Sequence, residues 1–247
     1  MLGISEKDLR EMKIVKWYQN KWANRVRQFG LPAALAQIGR SAVRPLFEIE
    51  RELALVIPNH QPTPVYYPEI RPMTHEDVEN IAKRGELSVP VRAALHRFLN
   101  EGCFGFFAEI DGRPAGYGFV QPSGIYNFGR NGCLYIPEGM MLLKNLFVFS
   151  DFRGHSLGKK LIQARIASIP AGQTPIVFVV PENRVNIRNL KMFGFQEILV
   201  VSRTTWFKRR TCQTVKVLGH EDKSRKLIAR LCWAWCSDRR RCVLPGP

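Results

Sequence analysis

The chain has 247 residues, 45% of them apolar, with 37 Lys and Arg against 21 Asp and Glu for a net charge of +16, a composition that excludes intrinsic disorder and suits one sizeable domain with additions. The surplus sits at the ends, with residues 1–60 carrying +4, residues 61–200 only +3 and residues 201–247 +9; this sign favours nucleic acid, an anionic lipid surface or a phosphorylated substrate, with a merely solvated tail as the plain alternative. No apolar run reaches the roughly 18 residues of a membrane span, and a start bearing Glu6, Asp8 and Glu11 lacks an export signal's pattern, so a cytoplasmic location is expected.

Val15, Tyr18, Trp22, Val26 and Phe29 recur at helical spacing between Ser5 and Phe29, with basic residues on the remaining faces. Residues 1–60 are therefore expected as a basic helical extension that packs on the main domain or a partner, with peripheral membrane contact through 5–29 as the alternative. Pro58 to Pro64 reads as a linker, and residues 61–210 as the main domain. That domain opens with Val65 to Arg71 as a strand. Thr74 and Asp77 then form a capping-box start to a helix ending near Arg84. Pro90 sits in the first turn of a second helix that runs to Asn100. Cys103 to Ile110 and Ala115 to Val120 read as a hairpin turning on Asp111-Gly112. Residues 121–139, rich in Gly, Asn and Pro, read as a loop before a central strand from Met140 to Phe149.

That strand runs into Asp151-Phe152-Arg153-Gly154-His155-Ser156-Leu157-Gly158-Lys159-Lys160, followed by Leu161, Ile162, Ala164, Arg165 and Ile166 at helical spacing. A strand, a glycine-containing turn and a helix start can hold a phosphate, because the first helical N–H groups lack internal partners and the helix dipole is positive there. Gly154 and Gly158 allow close backbone approach, while Lys159 and Lys160 add charge. The order fits neither a Walker loop nor G-x-G-x-x-G.

Arg153 to Gly158 resembles the [QR]-x-x-G-x-[GA] pyrophosphate loop of the GNAT superfamily, the acyl-CoA-dependent N-acyltransferases, with Ser156 in place of the first glycine and tolerated there if its backbone angles stay negative. Asn183, eleven positions before Gly194-Phe195, resembles that family's second signature. The likeness spans residues 65 to about 210. It implies an α/β (α+β) fold, a GNAT-like mixed, mostly antiparallel central sheet flanked by helices, with N- and C-terminal extensions. It implies further that Leu146, Phe147 and Val148 offer backbone groups to the pantetheine arm, that the strand Ile176 to Val180 splays from its neighbour to admit acetyl-CoA as cosubstrate, and that Asn183 contacts the pantetheine. Arg153, Gly154, His155, Ser156, Leu157, Gly158 and Lys159 form the implied diphosphate turn.

The implied activity is transfer of an acetyl or other acyl group from acyl-CoA to a primary amine by direct attack, with no metal. Many members carry a tyrosine as proton donor where this chain has Leu190, and leucine cannot donate. Glu138 and Glu182 are the expected carboxylates near the cleft, with Tyr135 a third candidate base. The absent tyrosine keeps a second reading open: a non-catalytic acyl-CoA-binding or interaction module whose basic ends dock on nucleic acid, protein or membrane. Residues 211–247 form a basic extension holding Cys212, Cys232, Cys236 and Cys242, whose spacing fits free thiols better than zinc.

Overall fold

The computed structural model describes residues 47–122, 124–128, 132–206, 210–220 and 222–223. The helix expected at 5–29, with its membrane or partner contacts, and the Cys- and Trp-bearing piece beyond residue 223 lie outside them. Among the described residues no helix is long and apolar enough to cross a membrane.

Ten strands and four α-helices are present among those residues. The first half supplies β1 (Phe47–Val56), β2 (Ile70–Pro72), α1 (His75–Lys83), α2 (Val89–Asn100), β3 (Phe104–Ile110) and β4 (Arg113–Gln121). Then come β5 (Gly124–Phe128), β6 (Gly132–Ile136), β7 (Met140–Val148), α3 (Leu157–Ala167), β8 (Thr174–Val179), α4 (Arg184–Met192), β9 (Gln196–Trp206) and β10 (Arg210–Val217). Eight strands form one sheet in the order β10-β9-β1-β8-β7-β4-β3-β2, and β5 pairs with β6 separately. Every neighbour in the large sheet is antiparallel except β7 and β8.

The alternation of side chains along each strand assigns the two faces. Phe107 and Phe119 pack with Val78, Ile81 and Leu95 of α1 and α2. Their neighbours Ala108 and Val120 face the other way, toward Leu161 and Ile162 of α3. The β5–β6 hairpin lies on the α1/α2 side, where Tyr126 and Ile136 meet Ala54, Leu142 and Ile176. Helices α3 and α4 close the opposite face around Leu53, Leu55, Val177 and Leu190.

Local chemistry sets the element ends. The Thr74 side chain accepts from the Asp77 N–H, and the Asp77 carboxylate accepts from the Thr74 N–H at 2.8 Å, the reciprocal pair expected from the sequence. Arg71 grips the same carboxylate at 2.7 and 2.8 Å, tying β2 to α1. Burial pushes the Asp77 pKa up, but the Arg71 and Thr74 bonds outweigh it and leave the carboxyl below its ordinary range. Asp111 and Gly112 both take positive φ, 50° and 68°, which suits the two-residue hairpin between β3 and β4.

Four expectations are corrected. Residues 47–56, assigned to the N-terminal extension, form a strand in the middle of the sheet, with Leu53 opposite both Val179 and Val200. Glu48, Glu50, Arg51 and Glu52 disguise that strand as surface, because they match in number its visible apolar run at Leu53–Val56 and precede it. Of Val65–Arg71 only the last two residues join a strand, since Pro68 has no N–H to give and the Ile70 N–H turns back to the Tyr67 carbonyl at 2.9 Å. Residues 121–139 contain the β5–β6 hairpin rather than an unbroken loop. Residues 210–217, mostly placed in the C-terminal extension, add an edge strand to β9.

Because β1 bonds to β8 on one side and β9 on the other, a chain started at residue 61 loses a central strand. Such a fragment is expected to give no cooperative thermal transition by circular dichroism, while a chain started at residue 46 melts as one unit.

Candidate active site

The site begins with a defect in the sheet. Strands β7 and β8 pair in parallel only from Met140 opposite Thr174 to Leu143 opposite Val177. On its other side β7 faces β4, where Tyr117 pairs with Phe147 but Phe119 pairs with Lys144. Asn145 and Leu146 therefore stand opposite Gly118 alone, a β-bulge, and Asn145 takes the left-handed φ of 52° that asparagine tolerates better than most residues.

Arg165 of α3 fills the opening made by the bulge. Its side chain is buried and donates from Nη1 to the carbonyls of Lys144 at 3.2 Å and Phe119 at 3.4 Å, and from Nε to Leu161 at 3.2 Å. Burial lowers its pKa to about 9, which leaves the guanidinium charged at neutral pH. A side chain at Gly118 would place its Cβ 3.0 Å from Arg165 Cδ, so glycine makes room for the arginine.

Past Leu143 the two strands diverge and leave two openings. A cavity of about 200 Å³ lies between them, with Lys144, Asn145, Phe178, Leu190 and Tyr126 among its walls. A longer groove of about 700 Å³ follows the outer part of β7 and the face of α4, lined by Leu146, Phe147, Val148, Arg153, Gly154 and Asn183, together with Asn186 and Asn189. Lys144 is buried, donates to Gln121 Oε1 at 2.8 Å and sits 3.8 Å above the Phe98 ring, and burial lowers its pKa.

The turn at the end of β7 is built from two left-handed residues flanking His155, Gly154 at φ 91° and Ser156 at φ 59°. Successive N–H groups in such a turn point into one concavity, and α3 starts directly after it. Arg153 Nε donates to the Val148 carbonyl at 3.0 Å, and its guanidinium lies 5.9 Å over the Phe147 ring, so the turn is fastened to the strand end. Gly158 has room: its Cβ would meet only Val148 Cγ2, at 3.8 Å, so packing within the chain does not require glycine there. The missing side chain leaves space at the mouth of the turn.

The groove thus brings together Leu146, Phe147, Val148, Arg153, Gly154 and Asn183 from three separate elements. His155 is exposed in the turn, Gly158 and Lys159 begin α3, and the Leu157 side chain is buried in the core against Ala108, Ala115 and Leu161. Lys160, expected to add charge here, instead binds Glu69. Ser156 departs from the expected negative φ, since the turn demands a left-handed residue at the position where the loop pattern has glycine. Asn183 caps α4, its Oδ1 accepting the Asn186 N–H at 3.2 Å, and Gly194, at φ 85°, ends the same helix. The two marks of the second signature are therefore the two ends of α4.

The candidate carboxylates fall elsewhere. Glu138 is exposed in the turn before β7, at the end of that strand remote from the divergence. Glu182 pairs with Arg51 of β1 at 3.4 Å. Neither lines the groove or the cavity. Tyr135 stands across from Ile125, on the face of the hairpin opposite Tyr126. The residue missed from the sequence is Glu52: it accepts from the Tyr126 hydroxyl at 3.4 Å, and burial together with Glu50 raises its pKa to about 7 against the opposing pull of Tyr126 and Arg203. No local pattern marks it, because its burial depends on a hairpin more than seventy residues away in sequence. Leu190 is buried in the cavity wall, so the position where many family members keep a tyrosine carries no proton donor.

Residues 68–195 match the family described as Acetyltransferase (GNAT) family. That is just over half of the chain, and the protein belongs to this family. No curated protein matches it significantly. Among solved structures, one assigned to the GNAT acetyltransferases from Novosphingobium aromaticivorans is 15% identical at a TM-score of 0.45, covering 70% of this chain and 66% of its own, so this chain spans a little under two thirds of that structure. A ribosomal-protein-alanine N-acetyltransferase from Brucella melitensis is 17% identical at a TM-score of 0.39, covering 60% of this chain and 99% of its own. A GCN5-related N-acetyltransferase from Sphaerobacter thermophilus is 14% identical at a TM-score of 0.40, covering 80% and 68%.

Two substitutions test the geometry of the site. Ser156→Gly removes a left-handed penalty of about 1–2 kcal/mol, partly offset by the greater freedom of glycine in the unfolded chain. Since the Ser156 side chain makes no capping bond, a net gain of about 0.5–1 kcal/mol is expected in denaturant melts. A Cβ at Gly116 would lie 2.7 Å from the Phe147 carbonyl oxygen and 3.1 Å from Leu161 Cδ1. Gly116→Ala should accordingly cost about 1–3 kcal/mol in the same melts.

Proposed function

We propose that this protein transfers an acetyl or other acyl group from acyl-CoA to a primary amine, by direct attack of the amine and without a covalent enzyme intermediate. The observation that carries the reading is the early parting of β7 from β8 at Leu143, which leaves residues 146–148 facing a groove of about 700 Å³ that ends at the left-handed turn before α3. A groove of that length, flanked by backbone along one wall and closed by an anion-binding turn, fits an extended arm ending in a diphosphate. The space at Gly158, where a Cβ would meet nothing closer than 3.8 Å, supports the same fit.

In this reading Leu146, Phe147 and Val148 offer main-chain groups to the pantetheine arm in place of a neighbouring strand. The N–H groups from Gly154 to Gly158 hold the diphosphate, with Arg153 fixed at the rim. Asn183 and Asn189 on α4 form the opposite wall. When bound, acyl-CoA supplies an activated acyl carbon. The chain's contribution is to hold that carbon in the gap beside Asn145, to exclude water with Leu190 and Phe178, and to leave the amine an approach from the hairpin side. A thiolate with a pKa near 8.5, by analogy with cysteine, leaves without an acid, which suits a site with leucine at position 190.

The test is release of free thiol from acetyl-CoA across a library of primary amines, with calorimetry of CoA binding alongside it. Turnover with at least one amine and saturable binding are expected. Asn189→Trp, which narrows the groove from α4 without touching the sheet, should abolish both while leaving the melting temperature within a few degrees.

A further inference from the structure

We propose that Glu52, acting through the hydroxyl of Tyr126, is the proton acceptor for the attacking amine. The inference rests on the acyl-transfer reading and supplies the base that the expected carboxylates leave unfilled. It places that role on β1, a strand that lies outside residues 68–195.

Sheet register carries the argument. Leu143 pairs with Val177, so continuing the parallel ladder would set Leu146 level with Val180, where the strands have separated. Leu53 pairs with Val179 across the β8–β1 ladder, which puts Glu52 at that same level. Glu52 also shares the face of Ala54 and Val56, the face covered by the β5–β6 hairpin, rather than that of Leu53 and Leu55 under α4. It is thus on the side from which an acceptor amine approaches, at the depth where the cavity opens.

Tyr126 spans the remaining distance. Its ring stacks on Phe178 with centroids 5.0 Å apart, it forms part of the cavity wall, and its hydroxyl donates to Glu52 Oε2 at 3.4 Å. A single phenol therefore joins the gap between β7 and β8 to a half-buried carboxylate. Phe178 is the β8 neighbour and does not titrate. The titratable groups facing Glu52 are Glu48 and Glu50 on its own strand, Arg203 on β9, Tyr126 on β5 and Lys144 across the cavity on β7. Burial and Glu50 hold Glu52 near pKa 7 against Tyr126 and Arg203, so close to neutral pH it is half ionised and able to accept a proton.

The step balances as follows. The nitrogen lone pair forms the C–N bond to the acyl carbon, the ammonium proton passes to Tyr126 Oη, and the phenolic proton moves to Glu52 Oε2. The C–S bond breaks with its electron pair on sulfur, and the thiolate takes a proton from solvent. Glu52 returns its proton to water before the next cycle.

Glu52→Gln keeps the shape and removes the charge, and Tyr126→Phe removes only the hydroxyl. CoA binding by calorimetry should stay within about twofold of wild type in both. For Glu52→Gln, kcat should fall about 10²- to 10³-fold, in the range of lost general-base catalysis. The wild-type rate should rise with pH through an apparent pKa near 7, because the unprotonated carboxylate is the active form, and this limb should vanish in Glu52→Gln. In ligand-free protein carrying ¹³C-labelled glutamate, one side-chain carboxyl should titrate near pH 7 and be absent from the Glu52→Gln spectrum. Undiminished kcat with an unchanged pH limb in Glu52→Gln, or a Tyr126→Phe variant with wild-type turnover, overturns the assignment while the acyl-transfer reading stands. Absence of both CoA binding and thiol release in wild type overturns that reading instead, and the assignment with it.

Discussion

A buried guanidinium holds the site open. Arg165 gives up water to enter the sheet, and that cost is recovered only because the bulge of β7 leaves the Phe119 and Lys144 carbonyls aimed at it. Dependence runs both ways: without Arg165 these carbonyls would lose a buried donor, and without the bulge the arginine would keep only its bond to the Leu161 carbonyl. Gly118 is the third partner, since any side chain there would crowd the arginine. Together they hold β7 at the level where it parts from β8, and both the cavity and the groove lie past that separation.

The two faces of the sheet divide the work. On the α3/α4 side the groove is largely a main-chain surface, formed by the edge of β7, the left-handed turn and the capped start of α4. A main-chain surface recognises a ligand by shape and by regular donor spacing, so it tolerates varied side chains. On the hairpin side the surroundings are side chains of specific chemistry, Tyr126, Glu52, Lys144 and Arg203, assembled from β5, β1, β7 and β9. Each of these is half-buried or buried, where electrostatic differences between protonation states are largest.

What could be read from sequence follows this division closely. The Thr74–Asp77 box, the Asp111-Gly112 turn, the strand–turn–helix at Arg153–Lys159 and the spacing from Asn183 to Gly194 are local patterns, and the structure realises each of them. Residues lining the groove were legible because glycines, helix caps and strand ends leave a local signature. Glu52 was not, because its burial depends on a hairpin that itself hides in a Gly- and Asn-rich stretch. Its strand was placed in the helical extension for a related reason: the three glutamates on β1 look solvated, and only its partners β8 and β9 reveal it as part of the sheet. Ser156 shows the opposite error, where a small residue was expected to adapt its backbone and instead accepts a strained one because the turn is held at both ends, by Arg153 on one side and α3 on the other.

The position of β1 also bears on how the chain reaches this state. The strand emerges from the ribosome well before its partners on β8 and β9, since Val179 and Val200 both lie more than a hundred residues after Leu53. Until then Leu53 to Val56 must wait unpaired, an apolar edge exposed to chance association, while the hairpins and helices of the middle segment assemble from near neighbours. Pairing of β1 therefore waits on strands made later, and the carboxylate it carries meets its tyrosine from the hairpin only once β1 is seated between β8 and β9.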